Sequence, residues 1–476
     1  MGRIPKALKI FLIAIGGLAA LLLVLALAVL LFFDINDYKP RVEAAASNSL
    51  KMEVSVEGRL GIGYIPGLHI TLENVRIRNR GTELAFVKEA DLAIELLPLF
   101  QQQLHYGNIA TNGVRVSIER GHDGHYNYER PPAAAEASHP LALPKVSFAD
   151  LMVVYADKQS GGGYEFSGCN GVLTDMRHPG AAPFLKRLTL SGQFACGVLH
   201  GKIKAVSDLK FSVEATDGVF DFKPITMQAF GGQGAGAMRM DRSLEIPSTQ
   251  ISYTLSKFRI EEFFKPAPSG KSISGRMDFS TTLTMRGRTR LAMRESANGE
   301  MSLSGTNLTL TGVELDKELL KFESSQNFNL IDVGALLFAG PVGLVVTKGY
   351  EFSTLALQTG GSTPIRTAVS HWKVEKGVAY AKDVALATNE NRLALHGGLN
   401  FVDNEYQEVM VALIDSSGCA RVRQKISGPF SKPAADKSAI LVPVGPLLTL
   451  LDKAKTLIAG GGKCEVFYNG SVLPPK

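Results

Sequence analysis

The chain has 476 residues, which at about 150 residues per domain allows three ordinary domains or one long repetitive structure. Its 51 Lys and Arg residues against 45 Asp and Glu residues leave a formal net charge of only +6, part of which comes from Arg3, Lys6 and Lys9 at the N-terminus. So small and dispersed an excess excludes the basic patches of a nucleic-acid-binding protein. The 48 glycines and the single tryptophan favour many short strands and turns over long helices.

The N-terminal segment has the length and composition of a membrane anchor. Residues 10–33 carry no charge, and 22 of these 24 residues are apolar. As a helix they would span roughly 36 Å, enough to cross a hydrocarbon core of about 30 Å. A cleaved signal peptide, cut at Ala-Leu-Ala (26–28), is the alternative, but its apolar region is typically about 7–15 residues. We therefore predict an uncleaved transmembrane helix, with residues 1–9 in the cytoplasm because positive charges precede it and Asp34 follows it.

The four cysteines predict two disulfide bonds if the remainder of the chain is exported. Cys169 and Cys196 lie symmetrically about the turn-rich stretch 178–183, so a hairpin there would place them opposite each other. Cys419 and Cys464 then form the second pair, which would fasten the C-terminal tail to a strand. Four buried, reduced cysteines are the alternative. No two cysteines have the spacing of a C-x-x-C motif.

The part that follows the anchor alternates between apolar and polar residues, which is typical of strands with one apolar face. Residues 40–50 predict a short helix, and alternation then begins around Ile70 and Leu72. Its phase slips at Asn74, which indicates a bulge or bend. Similar alternation recurs downstream, as in these apolar positions: Val114, Val116, Ile118, Phe211, Val213, Ile251, Tyr253, Leu393, Leu395.

A stretch rich in proline and alanine, residues 131–144, is the best internal boundary. Two apolar stretches are exceptions to the strand pattern. Residues 330–346 are too short for a second membrane span and predict a helix packed on the sheet, and residues 446–458 predict a C-terminal helix. The predicted organisation is a cytoplasmic N-terminus (1–9), an anchor (10–33), an N-terminal β segment (34–130), a linker (131–144), a central and C-terminal β segment (145–430) and a C-terminal helix and tail (431–476).

No motif in the sequence indicates an active site. Gly270-Lys271-Ser272 resembles the end of a phosphate-binding loop, but position 265, where that motif requires glycine, is a lysine. The glycine-rich residues 231–236 are not followed by a helix and predict a tightly packed strand. His122 and His125 lie in a polar turn without further metal ligands nearby in sequence. We therefore expect no enzymatic activity, no cofactor and no bound metal.

Several segments together resemble one protein family. The anchor is followed by FDINDYKPRVEAAASNSL, GLHITLENVRIRN and GVRVSIERGHDGHYNYE, and later by MQAFGGQGAGAMRMD and VALATNENRLALHGGLNF. In order and spacing these segments resemble the AsmA family of Gram-negative bacteria. The segments around the four cysteines, GCNGVLTDM, LSGQFACGVLHGKIKAVSDLKF, GCARVRQKISGPFSKP and KCEVFYNGSVLPP, resemble it as well. Asn127-Tyr128 departs from the family's usual Asn-Trp.

The resemblance implies a mainly β protein: a single N-terminal transmembrane helix followed by an elongated, curved, largely antiparallel β-sheet groove with a few short helices. It implies location in the bacterial inner membrane with the bulk of the chain in the periplasm. Its expected partners are phospholipids, which the groove would carry toward the outer membrane, together with outer-membrane or periplasmic proteins. The alternative is a periplasmic scaffold or regulator of outer-membrane protein assembly that carries no lipid.

Alternation along the strands indicates which side chains would line such a groove. The candidate lipid contacts share the apolar sides of their strands: Ile70, Leu72, Val116, Ile118, Leu393 and Leu395. The opposite sides carry Thr71, Arg115, Ser117 and Ala394.

Overall fold

The computed structural model describes residues 34–50, 52–63, 67, 69–79, 81–94, 106–129, 141–159, 161–180, 184–201, 206–263, 272–325, 360–436, 439–440 and 464–475. This part of the chain is mainly β, as the sequence predicts. Its α-helices are α1 (Lys39–Leu50), α2 (Ile260–Phe263), α3 (Arg290–Glu295) and α4 (Leu315–Ser325), and 3-10 helices cover Ile35–Tyr38 and Phe184–Lys186. No helix within these described ranges is long and apolar enough to cross a bilayer.

The chain divides into two compact units, residues 1–133 with 143–163, and residues 134–142 with 164–476. The strands of the first unit are β1 (Glu53–Val56), β2 (Leu60–Gly63), β3 (His69–Asn79), β4 (Thr82–Ile94), β5 (Tyr106–Arg120) and most of β6 (Leu141–Asp157). β1 and β2 both pair with β3, and β3, β4 and β5 pair in antiparallel order. β5 and β6 pair in parallel, an exception to the predicted antiparallel order that the long connection between them permits.

Helix α1, which the sequence predicts over residues 40–50, covers the edge of the first sheet. The Glu43 carboxylate accepts a 2.7 Å hydrogen bond from the Val56 backbone N–H, and the Ser47 hydroxyl accepts one of 2.9 Å from Val54. Just before the helix, the side-chain oxygen of Asn36 accepts one from Leu60 at 2.9 Å. Edge N–H groups that would otherwise be open to another strand are thus satisfied by side chains.

The predicted phase slip at Asn74 belongs to a line of irregular residues that crosses the first sheet. Asn74 has a φ of 53°, Gly113 on β5 has 62° and Asp150 on β6 has 50°. The register places these residues in one row, with Lys88 of β4 between Asn74 and Gly113. Asn, Asp and Gly are the residues that tolerate this left-handed conformation. Because every strand changes phase at the same level, the apolar side chains stay on one face.

The second unit contains most of β7 (Gly162–His178) and fifteen further described strands. They are β8 (Thr189–Gly201), β9 (Val206–Thr216), β10 (Val219–Ala229), β11 (Gly232–Asp241), β12 (Ser248–Arg259), β13 (Ser272–Ser274), β14 (Arg276–Arg286), β15 (Asn298–Thr311), β16 (Ser362–Glu375), β17 (Val378–Ala387), β18 (Arg392–Asn400), β19 (Glu405–Ile414), β20 (Ala420–Pro429), β21 (Ala434–Ala435) and β22 (Ala439–Ile440). From β7 to β12 and from β14 to β20, each strand pairs antiparallel with the next, and β12 pairs with β14. The result is a large open antiparallel sheet, with β13 beside β15 and the short β21 and β22 beside β20.

The glycine-rich residues 231–236 form a tightly packed strand, as predicted, and β11 includes all but the first of them. A Cβ on Gly232 would lie 2.6 Å from the Ser256 carbonyl oxygen, and one on Gly236 would meet the Ser252 carbonyl oxygen. A Cβ on Gly234 would meet the Tyr253 hydroxyl oxygen, so this ring lies over the glycines of β11. The glycines therefore serve close strand packing.

At one end of the second sheet, parts of strands β17, β18 and β19 are buried on both faces. On one face, Leu386, Leu393 and Leu413 belong to the main core, to which α4 contributes Leu315 and Leu319. The opposite face carries a second, smaller cluster, made of Ala385, Ala387, Ala394, Ala412 and Ile414 together with Tyr468 and Val472 of the C-terminal tail. Ala394 thus lies opposite Leu393 and Leu395, as predicted, but the tail covers its face.

Both predicted cysteine pairs lie at disulfide distance. Cys169 and Cys196 are direct cross-strand partners on β7 and β8, with Cα atoms 3.9 Å apart. Cys419 and Cys464 have Cα atoms 6.0 Å apart, and this pair joins the tail to the turn between β19 and β20. The hairpin symmetry that predicted the first pair is therefore confirmed in the strand register.

We expect both bonds to be present in protein isolated without reductant, each contributing about 2–4 kcal/mol by restricting the unfolded chain. Peptide mapping without reduction should recover one linked peptide for Cys169 with Cys196 and another for Cys419 with Cys464. Free thiols at all four positions would contradict both the pairing and the exported location.

Polar contacts reinforce the tail where it crosses the sheet. The Arg392 guanidinium, only 5% exposed, donates to the carbonyl oxygens of Val472 at 2.9 Å and Asp415 at 2.7 Å. Asp383 accepts hydrogen bonds from the Tyr468 hydroxyl and, at 3.0 Å, from the Ser471 N–H. Burial raises the pKa of Asp383, but these hydrogen bonds outweigh it and hold the pKa below its ordinary value. Burial and the bond to Asp383 raise the pKa of Tyr468.

This depressed pKa predicts that the tail loosens in acid. Because the folded pKa of Asp383 lies below 3.8, its carboxylate stabilises the tail above that pH and loses this effect as pH falls through the folded value. Asp383→Asn should weaken the tail by about 1–3 kcal/mol above pH 3.8, and this difference should shrink in acid as Asp383 becomes protonated. Hydrogen exchange at the Val472 N–H, which donates to the Tyr468 hydroxyl oxygen, measures this effect. The exposed Asp403→Asn is the control, and unchanged exchange in Asp383→Asn would contradict the assignment.

Several sequence-based predictions lie outside the described residues. They are the anchor over residues 10–33, most of the linker over 131–144, the helix over 330–346 and the C-terminal helix over 446–458. Within the linker region, strand β6 already begins at Leu141.

Candidate functional site

The apolar face of the second sheet is continuous from strand to strand. One row of direct cross-strand partners starts at β7 and ends at β18, and every member is apolar or glycine: Leu173, Gly192, Val213, Phe222, Met238, Ile251, Leu283, Gly299, Val374, Ala379 and Leu399. Directly opposed residues of neighbouring strands point to the same side of a sheet. The row therefore marks one uninterrupted apolar path across eleven strands.

A second row runs beside the first. It contains Gly171, Phe194, Phe211, Ile225, Gly236, Tyr253, Thr281, Met301, Trp372 and Ala381. Thr281 is its one polar member apart from the hydroxyl of Tyr253. Together the two rows make the path at least two side chains wide.

Exposure differs along this face. From β7 to β15 the large side chains of the two rows are mostly only partly buried, and we call this set the apolar strip: Leu173, Phe194, Phe211, Phe222, Ile225, Met238, Ile251, Tyr253, Leu283 and Met301. From β16 onward the large side chains of the same rows are buried, since Trp372 and Leu399 are 0% exposed. Large partly exposed aromatic and methionine side chains form an adaptable apolar surface.

Aromatic rings concentrate at the β8–β10 end of the strip. Phe194 stacks on Phe211 with ring centroids 4.8 Å apart, and Phe211 meets Phe222 at 6.0 Å. The direct neighbour of Phe211 on β10 is Ile225. This end therefore offers flat apolar area with few polar atoms.

The Tyr253 hydroxyl is the polar group within the strip. It is buried and has no hydrogen-bond partner in the described structure. Burial raises the pKa of Tyr253, so the phenol is neutral at physiological pH. A neutral hydroxyl in an apolar surface can donate one hydrogen bond to an ester or carbonyl oxygen of a bound molecule.

The structure separates the six predicted lipid contacts into two environments. Leu393 and Leu395 lie on the predicted face but are enclosed, with 0% and 1% exposure. In the first unit Leu72 is 8% exposed, while Ile70, Val116 and Ile118 are partly buried. Their part in lipid binding stays a prediction. Sequence alternation did not single out the apolar strip itself, although Phe211, Ile251 and Tyr253 were among the predicted strand positions.

The face opposite the strip is more polar. A depression of about 400 Å³ in the β7–β10 region is lined by residues that alternate with the strip, including Asn170, Gln193, Lys210 and Ser212, and also by Phe194 and Phe211 of the strip. In the polar turn, His125 bonds to Glu129 at 2.7 Å, and no group of three or more metal-ligating side chains occurs in the described ranges.

Comparison with known families gives an assignment for this arrangement. The model of the AsmA family matches residues 4–162 and 200–384, more than two thirds of the chain. The chain belongs to the AsmA family. The match includes strands β9–β16 and with them most of the apolar strip of this AsmA-family chain. All four cysteines lie outside the match, although the segment around Cys196, residues 190–211, enters it at residue 200. The resemblance of the segments around Cys169, Cys419 and Cys464 to the family stays a prediction. No curated protein matches the chain significantly.

Proposed function

We propose that this AsmA-family protein transfers phospholipids, with acyl chains lying along the apolar strip, and that it contributes in this way to the biogenesis of the outer membrane. The observation that carries the proposal is the unbroken register of apolar partners that is still partly exposed from β7 to β15. Family membership supports it. The proposal involves no covalent step and requires no cofactor.

The dimensions of the strip suit an acyl chain. Its eight strands, at about 4.8 Å each, extend over roughly 34 Å. A hydrocarbon core of about 30 Å contains two leaflets, so one acyl chain needs about half of that length. A chain lying across the strands would therefore contact apolar side chains along its whole length.

Such a surface lowers the main barrier to lipid movement. Each CH₂ group costs about 0.8 kcal/mol to expose to water, so a lipid with about 30 of them would cost on the order of 25 kcal/mol. Contact with the strip would remove part of that cost, while the headgroup stays in water. The strip has one hydroxyl and otherwise apolar side chains, so transfer should tolerate different headgroups.

Site-specific photo-crosslinking tests the proposal. A photo-crosslinking residue at Phe211 should capture phospholipid in cells, while one at Ser212, its neighbour on the opposite face, should not. In the first unit, Val116 and Ser117 form the corresponding pair. Mass spectrometry of the crosslinked species identifies the lipid. Equal capture from both faces, or none from either, would favour the scaffold that carries no lipid.

We also infer that residues 10–33 anchor the chain in the inner membrane and that the described residues lie in the periplasm. The apolar length of the segment and the charges that flank it support this inference. Alkaline phosphatase fused after Lys476 should be active and should sediment with membranes. Active but soluble fusion protein with a new N-terminus near residue 29 would show cleavage, and an inactive fusion would contradict the orientation.

A further inference from the structure

One border of the second sheet carries exposed aliphatic side chains among basic ones. We define the basic rim as residues 184–188, 217–218, 241–247 and 286–295, which connect or flank the ends of β7–β12, β14 and β15. In the described part of the second unit, ten large apolar side chains are exposed, and four of them belong to this rim. They are Leu185 (54%), Leu244 (44%), Ile246 (58%) and Leu291 (48%).

Backbone hydrogen bonds hold the rim segments side by side. The Gly218 N–H donates to the Leu188 carbonyl oxygen at 3.1 Å, and Arg242 donates to that of Gly218 at 2.8 Å. Gly287 donates to the Pro247 carbonyl oxygen at 3.0 Å, and the Arg288 guanidinium holds the Glu245 carbonyl oxygen at 2.9 and 3.0 Å. The four aliphatic side chains therefore belong to one connected surface.

The charge of the rim is positive. It has seven basic residues, Lys186, Arg187, Arg242, Arg286, Arg288, Arg290 and Arg294, against the four acidic residues Asp217, Asp241, Glu245 and Glu295. The rim therefore has a formal net charge of +3, which is half of the +6 of the whole chain. Arg288 and Arg290 are exposed, and Leu291 follows them directly. Exposed aliphatic residues next to arginines are the composition of surfaces that enter the headgroup region of an anionic bilayer.

We propose that the basic rim binds the surface of a membrane that contains anionic phospholipids. The aliphatic side chains of Leu244, Ile246 and Leu291 would enter the boundary between headgroups and acyl chains. The arginines would bind lipid phosphates. This surface would serve a lipid carrier and a scaffold equally, so the proposal goes beyond lipid transfer.

Vesicle capture tests the proposal. The full chain is held in phosphatidylcholine nanodiscs and mixed with fluorescent vesicles, either rich in phosphatidylglycerol or made of phosphatidylcholine alone. We expect capture of the anionic vesicles to exceed that of the neutral ones by about tenfold or more, and to fall as salt rises. Equal capture of both kinds of vesicle, or of neither, would overturn the proposal.

Two variants separate the apolar and the charged contributions. Leu244→Ser/Ile246→Ser/Leu291→Ser and Arg288→Glu/Arg290→Glu should each reduce capture about tenfold. The circular dichroism of both variants should not change, because these side chains are exposed. The thermal midpoint of the arginine variant should fall slightly, because Arg288 no longer holds the Glu245 carbonyl oxygen. Leu473→Ser and Lys210→Glu/Lys382→Glu, which change exposed residues outside the rim, are the matched controls. If the controls reduce capture as strongly as the rim variants, the proposal is wrong.

Soluble competitors distinguish a bilayer surface from a site for one phosphate group. Millimolar glycerophosphate should leave vesicle capture unchanged. If glycerophosphate displaced the vesicles completely, the rim would be a site for one phosphate headgroup and not for a bilayer surface. Phospholipid that co-purifies with each variant is measured separately. Rim variants that keep their bound phospholipid but no longer capture vesicles would show that the rim acts independently of lipid transfer. Rim variants that lose both the bound phospholipid and vesicle capture would contradict a separate role for the rim.

Discussion

Leu395→Arg should unfold the second unit. Leu395 is 1% exposed within the main core, where Val411 of β19 is its direct partner. Removing the leucine side chain from such a site costs about 2–5 kcal/mol, and a guanidinium without a partner adds the cost of its desolvation. The total is on the order of 5 kcal/mol or more, which equals the whole stability of many domains.

The experiment is denaturant unfolding, with Leu395→Met as the volume-conserving control. That control should cost less than about 1.5 kcal/mol. A folded Leu395→Arg protein of near-normal stability would show that lipid or water reaches this end of the sheet. Loss of activity in Leu395→Arg alone therefore reports on folding and gives no information on lipid passage.

Phe211→Arg should abolish lipid binding while the protein stays folded. Phe211 lies in the middle of the aromatic end of the apolar strip and is only partly buried. The long arginine side chain can turn its charge toward water, so we expect a stability loss of about 1–2 kcal/mol. Acyl chains would nevertheless have to pass a cation that is costly to desolvate. The phospholipid that co-purifies with the full chain should fall about tenfold or more, a loss of about 1.4 kcal/mol or more in binding.

Two variants control for this substitution. Phe211→Leu keeps the surface apolar and should retain bound lipid. Ser212→Arg places the same charge one residue away on the opposite face and should also retain it. Normal lipid content in a folded Phe211→Arg protein would exclude the strip as the lipid path and would favour the scaffold function.

The sequence predicts local features well where the cause is local. The phase change at Asn74 appears in the alternation because a left-handed residue shifts all later side chains of its strand by one position. The pairing of Cys169 with Cys196 follows from a hairpin whose two arms are equal in length. Close strand packing at residues 231–236 follows from glycines that share one face of a strand.

Other features depend on contacts between distant segments. Alternation predicted on which face of the strand Leu393, Leu395 and Ala394 lie, but it could not show what covers each face. Near-continuous apolar runs such as Val411–Ile414 are the sequence signal of a strand buried on both sides. The covering residue Tyr468 lies far along the chain, on a tail tied down by Cys464.

By itself the sequence determined the class of this protein: a β-rich chain with alternating strands and two cysteine pairs, whose segments resemble the AsmA family. The alternation follows from residue spacing, which acts over a few positions, and the family follows from the resemblance of whole segments. Only the tertiary structure decided which part of the apolar face is closed and which stays partly exposed. That difference depends on where the tail and helix α4 pack, and packing between segments many residues apart leaves no periodic trace in the sequence.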